Sequence, residues 1–269
     1  MKKSSILFII LVLLTITISA QEKDSIARIN LTTISQVNQG NSYVTFPTDI
    51  GNIEPLWFEG NLIPNFYLRK SKNSRLMGVL TPQVIIRMYQ EYSYPVKTPS
   101  YIPQVTLYYM LNTSEHANKT TLYGRLAHHS NGQDGDFLLE NGDFNVESGD
   151  FSTNFFELGV IRTRYSKQFN AYQFFKSSFE VHPNHWDQWE LDGIYSKYRW
   201  HNAFSIFKLP VTENREKKKP NLSVKGEFTW MFGDFNQLDA FSLERINLGL
   251  TLFYHPKFLE DLGLFVQYY

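Results

Sequence analysis

The chain has 269 residues, with 26 Lys and Arg against 26 Asp and Glu, no cysteine, and 22 Phe, 16 Tyr and 5 Trp; that is enough for one large domain or two small ones. Zero formal net charge excludes a role that rests on bulk attraction to nucleic acid. The absence of Cys excludes disulfide scaffolds, thiolate zinc sites and cysteine nucleophiles together, so any metal must be held by oxygen or imidazole.

Lys2 and Lys3 precede an apolar run from Ile6 to Leu14, and small residues lead up to Ala20. This is the pattern of a secretory signal over residues 1–20. Residues 21–59 read as an N-terminal periplasmic arm and first strand region, with a further strand within 61–70. No later stretch reaches eighteen apolar residues, so the exported chain is soluble or crosses a membrane as strands. From about Arg75 onward, segments of alternating character rich in Tyr, Phe, Val and Thr are separated by Asn, Gly, Asp and Pro clusters. They predict strands over 75–90, 101–112, 119–130, 152–166, 171–182, 191–208, 220–232, 242–255 and 262–269. No long helical period occurs.

Aromatic pairs stand near strand ends, as in Tyr108-Tyr109, Phe155-Phe156, Phe174-Phe175 and Phe253-Tyr254. Short connections (166–171, 255–261) alternate with a long one (131–151). Girdles of aromatics and short inner turns facing long outer loops are habits of an outer-membrane barrel. The expected fold is therefore all-β, an antiparallel transmembrane β-barrel over 60–269; a secreted sandwich or lipocalin-like can is the alternative. If the 119–130 strand rises toward the outside, counting crossings makes 262–269 rise too. The run Glu216-Lys217-Lys218-Lys219-Pro220 reads as a solvated inner turn.

The stretch 131–151 carries Asp134, Asp136, Glu140, Asp143, Glu147 and Asp150 with no Lys or Arg, an acidic extracellular loop on this reading. Its flanks hold the chemistry. Side chains along a strand alternate faces. In the strand before the loop, Leu122, Gly124, Leu126, His128 and Ser130 share the more apolar face, and His129 points the other way, to the lumen. In the strand after it, Asn154 falls with Phe156, Leu158 and Val160. A His and a Ser two apart on one face lie about 6 to 7 Å apart at the backbone, near enough for the imidazole to take the serine proton. An Asn on the neighbouring strand can hold the other ring nitrogen, as a carboxylate does in a Ser-His-Asp triad. The same residues also read as an interfacial His, a turn start and a strand-end cap. His182-Pro183-Asn184-His185, beside Trp186 and Trp189, reads as an interfacial loop rather than a site.

His128-His129-Ser130-Asn131-Gly132 followed by Ser152-Thr153-Asn154 resembles the signature of the bacterial outer membrane phospholipase A family. Tyr94 to Gln104 and Leu222 to Gly226 are similar to further segments of it. The resemblance runs from about Tyr92 to the C-terminus. It implies Ser130 as nucleophile, His128 as general base and Asn154 as the residue that orients it. It implies a phospholipase of A1/A2 type, in the outer membrane with its site toward the outer leaflet, which hydrolyses acyl esters of phospholipids and lysophospholipids. It also implies dependence on Ca²⁺ and a homodimer as the active form. Candidate calcium ligands on this resemblance are Gln133, Ser93, Tyr94 and Asp150; a carboxylate suits the ion. The resemblance implies about twelve strands, and Phe265 to Tyr269 matches the family's next-to-last, so either the barrel is one strand short or Tyr269 is the terminal aromatic of an outer-membrane barrel and the crossing count is off by one. The other function class is a non-catalytic barrel, a pore or structural protein on the same scaffold.

Overall fold

The computed structural model describes residues 29–45, 54–71, 73–92, 96–112, 118–166, 168–169, 171–186, 188–207, 221–256, 258–259 and 262–269. The segment 1–20 expected as a secretory signal, Ser93, Tyr94 and the 216–220 run lie outside these residues. One helix, α1 (Leu31–Gln39), precedes twelve strands: β1 (Tyr43–Val44), β2 (Leu56–Leu62), β3 (Phe66–Leu68), β4 (Leu76–Tyr89), β5 (Ser100–Met110), β6 (Lys119–Ser130), β7 (Ser152–Ser166), β8 (Ala171–Val181), β9 (Tyr198–Phe207), β10 (Asn221–Phe232), β11 (Ile246–His255) and β12 (Leu264–Tyr268).

All twelve belong to one antiparallel sheet in which neighbours in sequence are neighbours in space, except that β2 and β3 lie end to end against β4. Pro64, between them, has no N–H to give a ladder, and the pairing resumes after it. The N-terminal segment thus supplies two positions, β1 and the β2–β3 pair, and the sheet has eleven positions in all. The sheet curls into a barrel-like wall. Among the described residues no backbone ladder joins β1 to β12; the Tyr43 and Phe265 rings meet across that seam with centroids 5.1 Å apart.

Alternation sorts the wall into two faces. On β5, Tyr101, Pro103, Val105, Leu107 and Tyr109 are exposed while Gln104, Thr106, Tyr108 and Met110 are buried. The same split puts Leu122, Leu126, Phe156, Leu158, Phe175, Phe179, Trp200 and Phe204 outside. The concave side holds ion pairs instead. Glu157 lies 3.1 Å from Arg125 and 3.0 Å from Lys176, and Glu180 lies 3.0 Å from Arg199. An outer face of apolar side chains, with ion pairs beside a small apolar core on the inner face, is compatible with an outer-membrane barrel.

The aromatic pairs divide between the faces rather than forming girdles whole. Tyr108 and Phe174 point inward into the core, while Tyr109 and Phe175 point out. Period two makes this unavoidable for adjacent residues.

Two strands begin later than the alternation suggests. Residues 191–197 and 242–245 are turns and 3-10 segments. Gly193 has φ of +77° and Ser242 accepts the Glu244 amide, so both stretches are diverted before the ladders start at Tyr198 and Ile246. The C-terminal ends of β4, β6, β8 and β10 and the starts of β5, β7, β9 and β11, with the long connections between them, lie at one end of the wall.

Helix α1 closes the opposite end from within. Asn30 caps it, its side chain accepting the Thr33 amide, a standard helix start. Leu31, Ile34 and Val37, three residues apart, form the stripe that packs against Met77, Val79, Tyr108, Met110, Ile161 and Phe174. Asn38 and Gln39 then donate to the Tyr108 hydroxyl at 2.8 and 3.1 Å.

Candidate active site

His128, Ser130 and Asn154 sit on the convex face at the end of the wall where the long connections gather. The β6–β7 register pairs His128 with Asn154 and Ser130 with Ser152, and the β5–β6 register pairs Ser130 with Tyr101. Directly opposed residues share a face, so the parity expected from the alternation holds. His129 points inward, its ring edge-on to Phe151 with centroids 4.9 Å apart.

The His128 Nδ1 lies 3.0 Å from Asn154 Oδ1. The orientation of the Asn154 amide follows from its other contacts. Its Nδ2 donates to the Trp186 carbonyl, and its backbone N–H donates to the same oxygen at 3.1 Å. A carbonyl only accepts, so Nδ2 must face Trp186 and Oδ1 must face the imidazole. Oδ1 in turn only accepts, so in the neutral ring the proton sits on Nδ1 and Nε2 keeps its lone pair. No hydrogen bond connects Ser130 Oγ to this ring among the described residues. Such bonds are often long before a substrate is bound.

Asn131 ties the ends of the acidic loop together. Its N–H donates to the Phe151 carbonyl at 3.1 Å, its Nδ2 to Gly149 O at 2.7 Å, and its Oδ1 accepts the Phe151 and Gln133 amides at 3.0 and 3.2 Å. Gly132 follows with φ of +71°, a conformation that glycine takes freely, and a Cβ there would meet the Tyr101 ring at 3.3 Å. The order Ser-Asn-Gly thus has local reasons: the Asn staples the loop and the Gly turns it away beneath Tyr101.

An open groove of about 890 Å³ runs over His128 and Asn154, while Ser130 is not among the residues that line it. Leu80, Val105 and Leu126 line its apolar part, and His128, Asn154, Asp150, His185, Trp186 and Gln188 its polar end. A long apolar track meeting an imidazole and an amide suits an amphiphilic ester.

The calcium candidates are only partly assembled. Asp150 lines the groove, with Oδ2 taken by the Gln188 amide. Gln133 gives its N–H to Asn131, and Ser93 and Tyr94 lie outside the described residues. Among the described residues no group of three or more His, Asp or Glu side chains could hold a metal. One carboxylate falls short of the six to eight oxygens that Ca²⁺ takes. The other acids of the 131–151 loop are exposed.

In the stretch after β8, Asn184, His185 and Trp186 are exposed, as a loop at the end of the wall would be, whereas His182 is not. His182 is buried and bonded through both ring nitrogens, to Thr153 Oγ1 at 2.8 Å and to Glu180 Oε1 at 2.9 Å. Its period-two continuation from β8, inward after Glu180, was the available signal; the Pro and Asn that follow masked it. No protein-family model, no curated protein and no solved structure matches this chain.

Proposed function

We propose that the chain is an outer-membrane hydrolase of phospholipid and lysophospholipid acyl esters, with Ser130 as nucleophile, His128 as general base and Asn154 as the residue that orients it. The carrying observation is the Asn154 amide, turned so that its oxygen holds His128 Nδ1 and leaves Nε2 free on a lipid-type surface. In the reaction, Nε2 takes the Ser130 proton as Oγ attacks the acyl carbonyl. The protonated ring then gives that proton to the departing alcohol oxygen. Water repeats the sequence on the acyl-serine and releases the fatty acid. The Gly132 N–H, without a hydrogen-bond partner among the described residues, is a chain donor close to the nucleophile for the developing oxyanion.

The resemblance to the outer membrane phospholipase A family supports the same roles for the same three residues. Outer-leaflet access and a homodimeric active form are part of the proposal on that resemblance. The apolar convex face supports a membrane location. For calcium, Asp150 at the groove and the Gln133 carbonyl are the candidate ligands. An open pore is disfavoured by helix α1, packed inside one end of the concave side, and by the ion pairs on that side, beside a cavity of about 250 Å³ lined by Arg125, Glu157, Lys176 and Glu180.

The test is fatty-acid release from phospholipid in mixed micelles by the refolded chain, with calcium and with chelator, beside Ser130→Ala. Release that falls by about 10⁴-fold or more in the variant is the expected result. Release that Ser130→Ala leaves intact would sink the assignment, and release unaffected by chelator would remove calcium from it.

A further inference from the structure

The β8 ladder meets β7 only as far as the Val181 and Phe156 pair. Residues 152–155, which include Asn154, therefore have β6 on one side and no strand on the other. The chain leaving β8 folds back to cover that edge. Trp186 O accepts the Asn154 amide, Gln188 N–H donates to Ser152 O at 3.3 Å, and Gln188 Oε1 accepts the Ser152 amide at 2.9 Å. An irregular segment thus does the work of a strand.

The segment is fastened at both ends. On the concave side, His182 bridges Thr153 and Glu180, both buried, with the Phe155 and Tyr195 rings packed on it at 5.2 and 5.1 Å. At the groove end, Gln188 reaches both Ser152 and Asp150. Between these anchors lies the carbonyl of Trp186, which alone decides which end of the Asn154 amide faces His128. Were the amide reversed, Nδ2 would donate to Nδ1, the ring proton would move to Nε2, and the base would have no lone pair for Ser130.

We infer that residues 182–186 and Gln188 form a positioning element that sets the tautomer of His128 through Asn154, with Thr153, His182 and Gln188 as its positioning residues. Its catalytic meaning rests on the hydrolase reading above; its structural meaning does not.

Two substitutions loosen opposite ends: Thr153→Val, which keeps the shape and removes the hydroxyl, and Gln188→Leu at the half-buried groove end, which keeps the test open if the first variant fails to fold. Ring ¹⁵N shifts of His128 in the refolded protein give the tautomer without any need for turnover. The Nδ1–H form is expected in the parent chain and a mixture in both variants, with Thr153→Ser restoring the parent pattern. In the micelle assay, kcat is expected to fall on the order of tenfold with KM unchanged. That loss is expected to vanish in an Asn154→Ala background, because the segment acts through Asn154. An unchanged tautomer in folded variants, or losses that add in full to that of Asn154→Ala, would overturn the inference. A tautomer that responds in a chain without Ser130-dependent hydrolysis would uphold the positioning role and sink the hydrolase reading instead.

Discussion

Gly159 faces inward on β7 between two side chains that leave it no room. A Cβ there would lie 2.5 Å from the Tyr123 ring and 2.6 Å from Ser178 Cβ. Tyr123 cannot retreat, because its hydroxyl bonds to Glu157, the carboxylate that also holds Arg125 and Lys176. Gly159→Ala is expected to lower stability by about 1–3 kcal/mol, an overpacking cost, read as a lower urea midpoint for the folded band on unheated gels. No alternation rule flags this position, since a glycine in a strand reads only as a weak spot. His128, Ser130 and Asn154 are the opposite case. Parity alone put them on one face, because two-residue periodicity survives any amount of sheet curvature. The Trp186 carbonyl that fixes Asn154 was not legible: a backbone oxygen in an irregular segment leaves no mark in residue type.

At the scale of elements, the strands from β4 to β12 were readable because each turn carries its own Gly, Asn, Asp or Pro signal and each strand its own alternation. Helix α1 was not. Its nine residues hold Thr32, Thr33, Ile34 and Val37, all β-branched, and intrinsic propensity for such a stretch is poor. Tertiary packing makes the helix: Leu31 and Ile34 are 2% and 0% exposed against the inward side chains of β4 to β8. Ile34→Ala is therefore expected to cost about 2–5 kcal/mol, far more than a helix-propensity change, measured as a drop in the same urea midpoint. The expected gain in helix propensity from Ala would show if the helix stood free; a neutral or stabilising result would mean that α1 does not pack in the lumen.

Among the described residues the molecule is a wall of eleven positions with a helix in one end and the candidate site outside the other. Ten antiparallel pairings separate β1 from β12, so these two strands run in the same direction. An antiparallel ladder can never join them, whatever the spacing. This oddness was already present in the crossing count from the sequence; that β1 would shrink to two residues was not, since its neighbours in the chain carry no alternation. Amide hydrogen exchange is expected to be fastest along β12 and β1 and slowest where β6, β7 and β8 lie between full-length partners; uniform protection around the wall would contradict it. The Tyr43–Phe265 contact is thus a clasp rather than a weld. A hoop fastened by two rings can widen or narrow at one line while every other stave keeps its partners, and that line lies across the barrel from β6 and β7. In the outer-membrane location proposed above, strain from a bilayer would be taken up there, leaving the panel that carries Ser130, His128 and Asn154 as the stiff side of the molecule.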